Sequence, residues 1–170
     1  MLWGSRSLHW QQLPTLYPPT GIRGIYRADP QAFIVEEELG VAPSGTGEHW
    51  WLWIEKIGLT TEEVIHRLAN TWGIKPALFG YAGKKDRLAV ARQWISCPAD
   101  ARPEIGGLGV GLEILAAHRD AQKIRVGQLH GNRFQIRVDA VTGIEELADR
   151  LRLITTSGIP NYFGPQRFGR

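Results

Sequence analysis

The sequence HWWLWIEKIGLTTEEVIHRLANTWG, residues 49–73, combines a strand pattern with a helix pattern. Its first seven residues, 49–55, are rich in the aromatic and apolar side chains that strands favour. Thr60 and Glu63 then form a capping-box pair, and apolar side chains recur at helical spacing as far as Gly73, a residue type that commonly ends helices. This stretch therefore predicts a strand followed by a helix. The apolar stripe of the predicted helix consists of Val64, Ile65, Leu68, Ala69 and Trp72.

Further strand patterns lie on both sides of this stretch. Residues 32–37, AFIVEE, have the composition of a strand, and a polar turn at 43–47 separates them from 49–55. We therefore expect these two strands to pair as a hairpin. Three later segments are also rich in β-formers, namely 89–96, 112–117 and 133–138.

The last of these segments, 133–138, alternates basic or amide side chains with apolar ones. Successive side chains of a strand point to opposite faces of a sheet. We therefore expect a strand with one wet, basic face. The basic or amide positions are Arg133, Gln135 and Arg137, and the apolar positions are Phe134, Ile136 and Val138.

A second set of apolar residues at helical spacing predicts another helix, which ends near residues 158–160. Strands and helices are thus mixed along the chain. We expect an α+β fold in which helices flank a mixed, largely antiparallel sheet. The stripe of the second helix consists of Ile144, Leu147, Ala148, Leu151 and Ile154.

The composition is that of one domain or of a part of a larger one. The chain has 170 residues, and 43% of them are hydrophobic, enough to form a core without cross-links. The single cysteine, Cys97, excludes a disulfide within the chain and a Cys-x-x-Cys zinc or redox site. The sequence shows no signal peptide and no stretch of membrane-spanning length. We therefore expect a cytoplasmic protein that does not associate with membranes.

Positive charge is concentrated in the second half of the chain. Lys and Arg number 20 and Asp and Glu 17, which gives a net charge of +3. Residues 1–74 carry 5 basic and 8 acidic groups, whereas residues 75–170 carry 15 and 9. Arginine suits bidentate phosphate contacts and stacking on bases, so the second half is compatible with a polyanionic partner. A solvated surface explains the charge alone equally well.

The spacing of glycines, histidines and glutamates excludes several common sites. The glycines between 106 and 111 do not satisfy G-x-G-x-x-G, and residues 83–85 lack the spacing of a phosphate-binding loop. The five histidines show no short metal-ligand spacing, so we expect no metal. Residues 36–38 are consecutive glutamates, which fit a solvated strand end better than a pair of glycosidase carboxylates.

Residues 80–87, GYAGKKDR, form a turn between two apolar, strand-like segments. Asp86 lies there among Lys84, Lys85 and Arg87, whose positive charges favour the ionised carboxylate. Such an anion can act as a nucleophile or as a proton acceptor toward a sugar. Taken by itself, a turn of this composition is more often an ordinary exposed loop.

Three separated motifs occur in order along the chain. Residues 80–94 contain an Ala-Gly-x-Lys-Asp loop, 131–134 are a Gly-Asn-x-Phe motif, and 161–169 read NYFGPQRFG. Phe33 with the turn at 47–49 is a weaker fourth match. In sequence, order and separation, this set resembles the TruD family of tRNA pseudouridine synthases. The matching positions of the loop are Ala82, Gly83, Lys85 and Asp86.

The resemblance implies a pseudouridine-synthase-like fold and the isomerisation of uridine 13 in the D arm of tRNA, with no cofactor or metal. The essential aspartate of the family corresponds to Asp86, which acts on the ribose while the N-glycosidic bond breaks, the uracil turns and C5 joins C1′. The sequence leaves two roles open for Asp86, namely attack on the sugar and removal of a sugar proton. A flipped nucleotide needs an aromatic surface and polar groups at its edge. The resemblance assigns charge support of Asp86 to Lys85, positioning of the base or sugar to Asn132, stacking to Phe134 and the pocket wall to Phe33.

Arginine is the residue type from which we expect contacts with the phosphates of tRNA, because its guanidinium suits bidentate phosphate binding. Each of these arginines taken singly fits a solvated surface residue equally well. The candidates are Arg87, Arg92, Arg133, Arg137, Arg167 and Arg170.

Members of the family continue beyond the 161–169 motif into an inserted domain and a C-terminal remainder. We therefore expect residues 1–170 to form the N-terminal part of a pseudouridine synthase catalytic domain, with a sheet that is incomplete at its C-terminus. An open sheet edge favours self-association. One alternative is an RNA-binding fragment without catalysis, and another is a fragment that works only with a partner chain.

Overall fold

The structure, a computed structural model, describes residues 15–27 and 29–160. The described residues form a main unit, 26–138, and a terminal unit, 15–25 with 139–160. The strands and helices in chain order are β1 (Arg23–Ile25), β2 (Phe33–Glu38), β3 (His49–Ile57), α1 (Thr61–Trp72), β4 (Gly80–Tyr81), β5 (Val90–Pro98), β6 (Gly106–Gly107), β7 (Leu112–Asp120), β8 (Gly131–Ile136), β9 (Asp139–Thr142) and α2 (Leu147–Ser157).

A seven-stranded sheet is the framework of the main unit. Its strand order is β6-β7-β3-β5-β2-β8, and β4 pairs with the part of β5 that follows its pairing with β2. Among the described strands of this unit, β2 and β5 run parallel, and every other pair is antiparallel. The predicted α+β class with a largely antiparallel sheet is confirmed.

The hairpin predicted between the first two long strands is wrong, because β5 lies between β2 and β3. β3 pairs with β5 along its whole length, from His49 opposite Pro98 to Ile57 opposite Val90. A nine-residue strand offers β5 a longer ladder than the six-residue β2, which ends in three glutamates. β2 instead pairs with the start of β5 and with β8.

Helix α1 begins and ends where the sequence predicts. The Thr60 hydroxyl accepts a hydrogen bond from the Glu63 N–H at 3.2 Å, and the Glu63 carboxylate accepts one from the Thr60 N–H at 2.7 Å. Gly73 ends the helix with φ of +65°, in the left-handed region that favours glycine. The apolar stripe packs on β3, β5 and β7 and forms the main hydrophobic core. Core residues around the stripe include Leu52, Ile54, Leu59, Phe79, Ile95 and Ile114.

Strand β8 lies at one end of the strand order, and both of its faces are exposed. Its basic or amide face is open to solvent as predicted, but the apolar residues Phe134 and Ile136 are each 55% exposed as well. The physical reason is the position of α1, whose core contacts reach β3, β5 and β7. The end of the sheet formed by β2 and β8 therefore carries an accessible aromatic surface.

In the terminal unit, β1 and β9 form an antiparallel pair. Helix α2 confirms the second predicted helix, and its last turn closes with a 2.7 Å hydrogen bond from the Gly158 N–H to the Ile154 carbonyl. The Tyr17 hydroxyl donates to the Gly158 carbonyl at 2.7 Å. This bond ties the N-terminal segment to the end of the helix.

Candidate active site

The loop at 82–89 connects β4 to β5 and passes beside the first residues of α1. The Lys85 N–H donates to the Thr61 hydroxyl at 3.1 Å. The Gly58 N–H donates to the Arg87 carbonyl, also at 3.1 Å. These bonds fix the loop backbone against the start of the helix and the turn that precedes it.

Asp86 lies at an exposed position of this loop. Within residues 15–27 and 29–160, its carboxylate forms no ion pair. Lys85 contacts Glu37 rather than Asp86, which differs from the charge support expected of it. An exposed anion whose neighbouring cations are engaged elsewhere is available to a substrate. The three cations that flank Asp86 in sequence form the pairs Lys84–Glu62, Lys85–Glu37 and Arg87–Glu63.

The pair between Lys85 and Glu37 is buried. Lys85 Nζ lies 2.5 Å from Glu37 Oε1, and the two side chains are 5% and 0% exposed. Glu37 Oε2 accepts a hydrogen bond from the Trp94 N–H at 3.0 Å, so one carboxylate joins β2, β5 and the loop. The expectation of a solvated strand end at 36–38 is wrong for Glu37, because this residue continues the buried alternation of Val35.

Lys56 is a second buried cation, and sequence reasoning misses it. It lies on β3, is 0% exposed, and its Nζ donates to three carbonyl oxygens, those of Leu59, Lys85 and Asp86, at 2.7, 3.1 and 2.8 Å. Burial lowers the pKa of this ammonium to about 8, and the charge of Asp86 opposes the shift. The alternation of β3 was the available signal for the burial of Lys56. This residue lies two positions after the buried Ile54, so the two side chains point to the same face.

Phe33 and Phe134 form an aromatic pair on the sheet. Their ring centroids are 5.8 Å apart and their planes differ by 9°. Glu37 is the register partner of Asn132, and directly paired residues of antiparallel strands share a face. The structure therefore brings all three residues predicted to contact the nucleotide to the face that also carries Glu37. We call this the platform face.

Helix α1 covers another part of the same face. Ala91 of β5 is the register partner of both Val35 and Lys56, which places the three side chains on the platform face. The loop that carries Asp86 contacts Thr61 of the helix on one side and Glu37 of β2 on the other. The candidate active site is thus the border between the helix-covered and the open parts of the platform face.

The candidate phosphate contacts on β5 and β8 lie on the opposite face. Arg92 and Arg133 are both register partners of Glu36, which alternates with the platform residues. Each arginine candidate within the described residues is paired with a carboxylate, so its charge is offset locally. Arg167 and Arg170 lie outside the described residues. The pairs are Arg87–Glu63, Arg92–Glu36, Arg92–Glu55, Arg133–Glu38 and Arg137–Asp29.

No group of three or more His, Cys, Asp or Glu side chains in the described part of the chain is arranged to hold a metal ion. Across residues 15–27 and 29–160, no helix is both long and apolar enough to cross a bilayer.

Comparison with known proteins identifies the family. Residues 15–170 match the profile of the family described as tRNA pseudouridine synthase D (TruD). The chain belongs to the TruD family. The tRNA pseudouridine synthase D of Hydrogenovibrio crunogenus is 42% identical over 149 residues, and that of Pseudoalteromonas atlantica is 40% identical over 164 residues. The resemblance inferred from the three motifs is confirmed.

The TruD fold is also confirmed by a solved structure. A crystal structure described as a TruD protein from Methanosarcina mazei gives a TM-score of 0.70 at 26% identity, and the match covers 88% of this chain and 37% of that one. The two curated relatives are matched over 85% and 95% of this chain but over 43% and 46% of their own length. The chain thus spans less than half the length of the curated TruD relatives that it matches.

Proposed function

We propose that this chain provides the N-terminal part of the catalytic domain of a tRNA pseudouridine synthase, and that Asp86 acts on the ribose of uridine 13. The observation that carries the proposal is the exposed carboxylate of Asp86, which forms no ion pair among the described residues, on a loop that the Lys85–Glu37 pair joins to the strand of Phe33. Membership of the TruD family supports the reaction class.

The reaction requires the uridine to leave its stack, which costs a few kcal/mol. Phe134, a residue that is 55% exposed, offers a surface on which the flipped base stacks, and the ring of Phe33 lies nearly parallel to it. Asn132 shares their face and supplies amide donors and acceptors for the edge of the base or for the sugar.

Asp86 then acts as an anion beside the sugar, either by attack or by removing a proton. The bond between N1 and C1′ breaks, the uracil turns, and C5 bonds to C1′. The proton on C5 is lost and N1 gains one, so the product is an isomer of the substrate. Lys85 supports this geometry through Glu37, which holds the loop on the sheet.

An RNA-binding fragment without catalysis is the second candidate. The chain aligns with 43% and 46% of the lengths of the two relatives, so the activity of those whole proteins is not carried over to this chain directly. This candidate predicts tRNA binding that weakens steeply with salt, without product.

Incubation of the chain with an unmodified tRNA transcript, followed by mapping of pseudouridine, tests both candidates. We expect conversion at uridine 13 alone and its loss in Asp86→Asn and Asp86→Ala, with circular dichroism unchanged. Conversion that persists in Asp86→Ala would exclude the role of this residue. Salt-sensitive binding without conversion would select the non-catalytic fragment.

A further inference from the structure

The segment 121–130, between β7 and β8, packs against Trp51 and Trp94 on the face of the sheet opposite the platform face, and it reaches the start of the loop that carries Asp86. The Ile124 N–H donates to the Ser96 hydroxyl at 2.9 Å, and the Gly127 N–H donates to the Ala82 carbonyl at 2.8 Å. The segment is therefore fixed both to β5 and to the first residue of the loop that carries Asp86.

This segment and its neighbour 73–85 contain no Asp or Glu. Lys123 joins the two, because its Nζ donates to the Ala77 carbonyl at 2.8 Å. Lys75 and Arg125 are exposed on the joined segments. Among the described residues, no carboxylate forms an ion pair with these three cations, in contrast to the arginines of β5 and β8. We call Lys75, Lys123 and Arg125 the basic shelf.

One acidic residue lies near each end of the segment 121–130, and neither neutralises the basic shelf. Asp120 is buried, and its carboxylate accepts hydrogen bonds from the N–H groups of Ser44 and Gln122. Glu38 is the ion-pair partner of Arg133. A rigid, acid-free surface with unpaired cations is suited to a polyanionic backbone, since phosphate contacts dominate the affinity for nucleic acids.

We propose that the basic shelf binds the phosphodiester backbone of the substrate RNA. The proposal rests on the proposed function for the identity of the RNA. It assigns RNA phosphates to lysines and an arginine that the charge pattern of the sequence does not single out, in place of the arginines of β5 and β8, whose charges are offset by carboxylates.

The test compares two double variants that each remove two positive charges. Lys75→Gln with Arg125→Gln removes two members of the basic shelf and none of its internal hydrogen bonds. Arg23→Gln with Arg102→Gln is the control, because both arginines are exposed and lie outside the two acid-free segments. Affinity for an unmodified tRNA transcript is measured over a series of salt concentrations.

We expect the shelf variant to reduce the slope of log K against log salt by about 2, or roughly one per lost phosphate contact, and the control to change it little. Equal slopes for the two variants, or no binding by the unaltered chain, would overturn the proposal. A reduced slope without pseudouridine would support the basic shelf and contradict only the catalytic proposal.

The hydrogen bonds of Lys56 support a second inference, which does not depend on the basic shelf. An ammonium has three N–H donors, and all three of those of Lys56 are used by carbonyl oxygens of two separate turns. One carbonyl belongs to Leu59, just before the helix cap, and the other two to Lys85 and Asp86. A single buried cation thus fastens the loop to the strand beneath it.

The Asp86 carboxylate has no ion-pair partner among the described residues, so its location depends on where its backbone is held. Backbone bonds hold Lys85 and Arg87 on either side of it, and the 2.8 Å bond from Lys56 Nζ holds the carbonyl of Asp86 itself. We infer that Lys56 is a positioning residue for Asp86. The charged groups that act on the ammonium are Asp86, Glu62 and Glu63, which attract it, and Lys85, which repels it.

Hydrogen exchange of backbone amides tests this role without requiring turnover. In Lys56→Met, we expect residues 84–88 to lose at least tenfold protection relative to the rest of the main unit. Ile114→Val, in the same core, is the control for general destabilisation and should change protection evenly. Where conversion is measurable, kcat falls in Lys56→Met while KM for tRNA is retained.

The unaltered chain provides a measurement that does not depend on the folding of a variant. Raising the pH from 7 to 9.5 deprotonates Lys56 and removes one of its three donors. Because an opening that exposes Lys56 to solvent returns its pKa toward 10.5, that opening becomes less favourable as the pH rises, and protection corrected for intrinsic exchange rates should rise selectively at 84–88. Protection that stays uniform in both experiments would refute the positioning role.

Discussion

Glu37 Oε1 and Lys85 Nζ lie 2.5 Å apart, and their two side chains are almost completely withdrawn from solvent. The pair joins the strand that carries Phe33 to the loop that carries Asp86. A buried charge is costly when its partner is removed, because the remaining ion is neither solvated nor neutralised. The relative placement of carboxylate and aromatic surface therefore depends on this pair.

The first prediction concerns the contribution of the Lys85–Glu37 ion pair to the free energy of unfolding. Glu37→Gln should lower the free energy of unfolding by about 3–5 kcal/mol, since Lys85 is left buried and uncompensated. The matched control is Glu62→Gln, which breaks the exposed pair with Lys84 and should cost no more than about 1 kcal/mol. Urea denaturation measures both values, and similar losses in the two variants would contradict the prediction.

The second prediction separates stacking from packing on β8. Phe134 and Ile136 are both 55% exposed and lie on the same face of one strand, so Phe134→Ala and Ile136→Ala should destabilise the chain by similarly small amounts. Only Phe134→Ala should weaken the binding of an unmodified tRNA transcript, by about 1–3 kcal/mol for one lost base stack. A comparable loss of affinity in Ile136→Ala would show a general surface effect instead.

The third prediction is a pH dependence of stability that arises at Lys56. Its folded-state pKa is lowered from 10.5 to about 8, so between these values the unfolded chain binds a proton that the folded chain does not. The contribution of Lys56 to the free energy of unfolding should therefore rise with pH through that window, by up to about 1.4 kcal/mol per pH unit, and fall again on acidification. Urea denaturation at pH 7.5, 8.5 and 9.5 should show this rise in the unaltered chain relative to Lys56→Met. Parallel curves for the two proteins would rule it out.

The fourth prediction compares two glycines with the same backbone conformation. Gly58 and Gly111 both have φ of +72°, but a Cβ at Gly111 would overlap the Ile57 carbonyl, whereas the space around Gly58 is open. Gly58→Ala should cost only the strain of the left-handed conformation, about 1 kcal/mol. Gly111→Ala should cost clearly more, because the strand junction at Ile57 must also shift. Thermal unfolding of the two variants checks the order.

The fifth prediction concerns the thiol of Cys97. Burial raises the pKa of this thiol to about 12, so the thiolate fraction at pH 8 is on the order of one in ten thousand. A thiol-reactive disulfide reagent should leave the native chain unmodified over hours and should modify it stoichiometrically in guanidinium. Rapid labelling of the native chain would contradict the buried position.

Features encoded by neighbouring residues could be predicted from the sequence. Helix α1 was predictable with its cap at Thr60 and its end at Gly73, because a capping box and a C-terminal glycine act within one helical turn. The face shared by Phe33, Asn132 and Phe134 also follows from alternation once the two strands are known to pair. The family motifs led to the residues of the candidate site.

Features that depend on distant partners could not be predicted. A glutamate or lysine in a strand ordinarily indicates solvent, and although strand alternation places Glu37 and Lys56 on a buried face, neighbouring residues do not identify the groups with which they pair. The partner of Glu37 is Lys85, and the acceptors of Lys56 include the carbonyl of Asp86. The hairpin prediction failed for the same reason, since the strand that separates β2 from β3 comes later in the chain.

The insertion of β5 between β2 and β3 also determines how this chain can fold. β2 gains a neighbour in the sheet only when it pairs with residues much later in the chain, such as Ile34 with Val90 and Phe33 with Ile136. Such high contact order slows the search for the native state, because long loops must close before their contacts contribute. During synthesis β2 would leave the ribosome well ahead of both its partners, and refolding of the main unit should take milliseconds to seconds rather than microseconds.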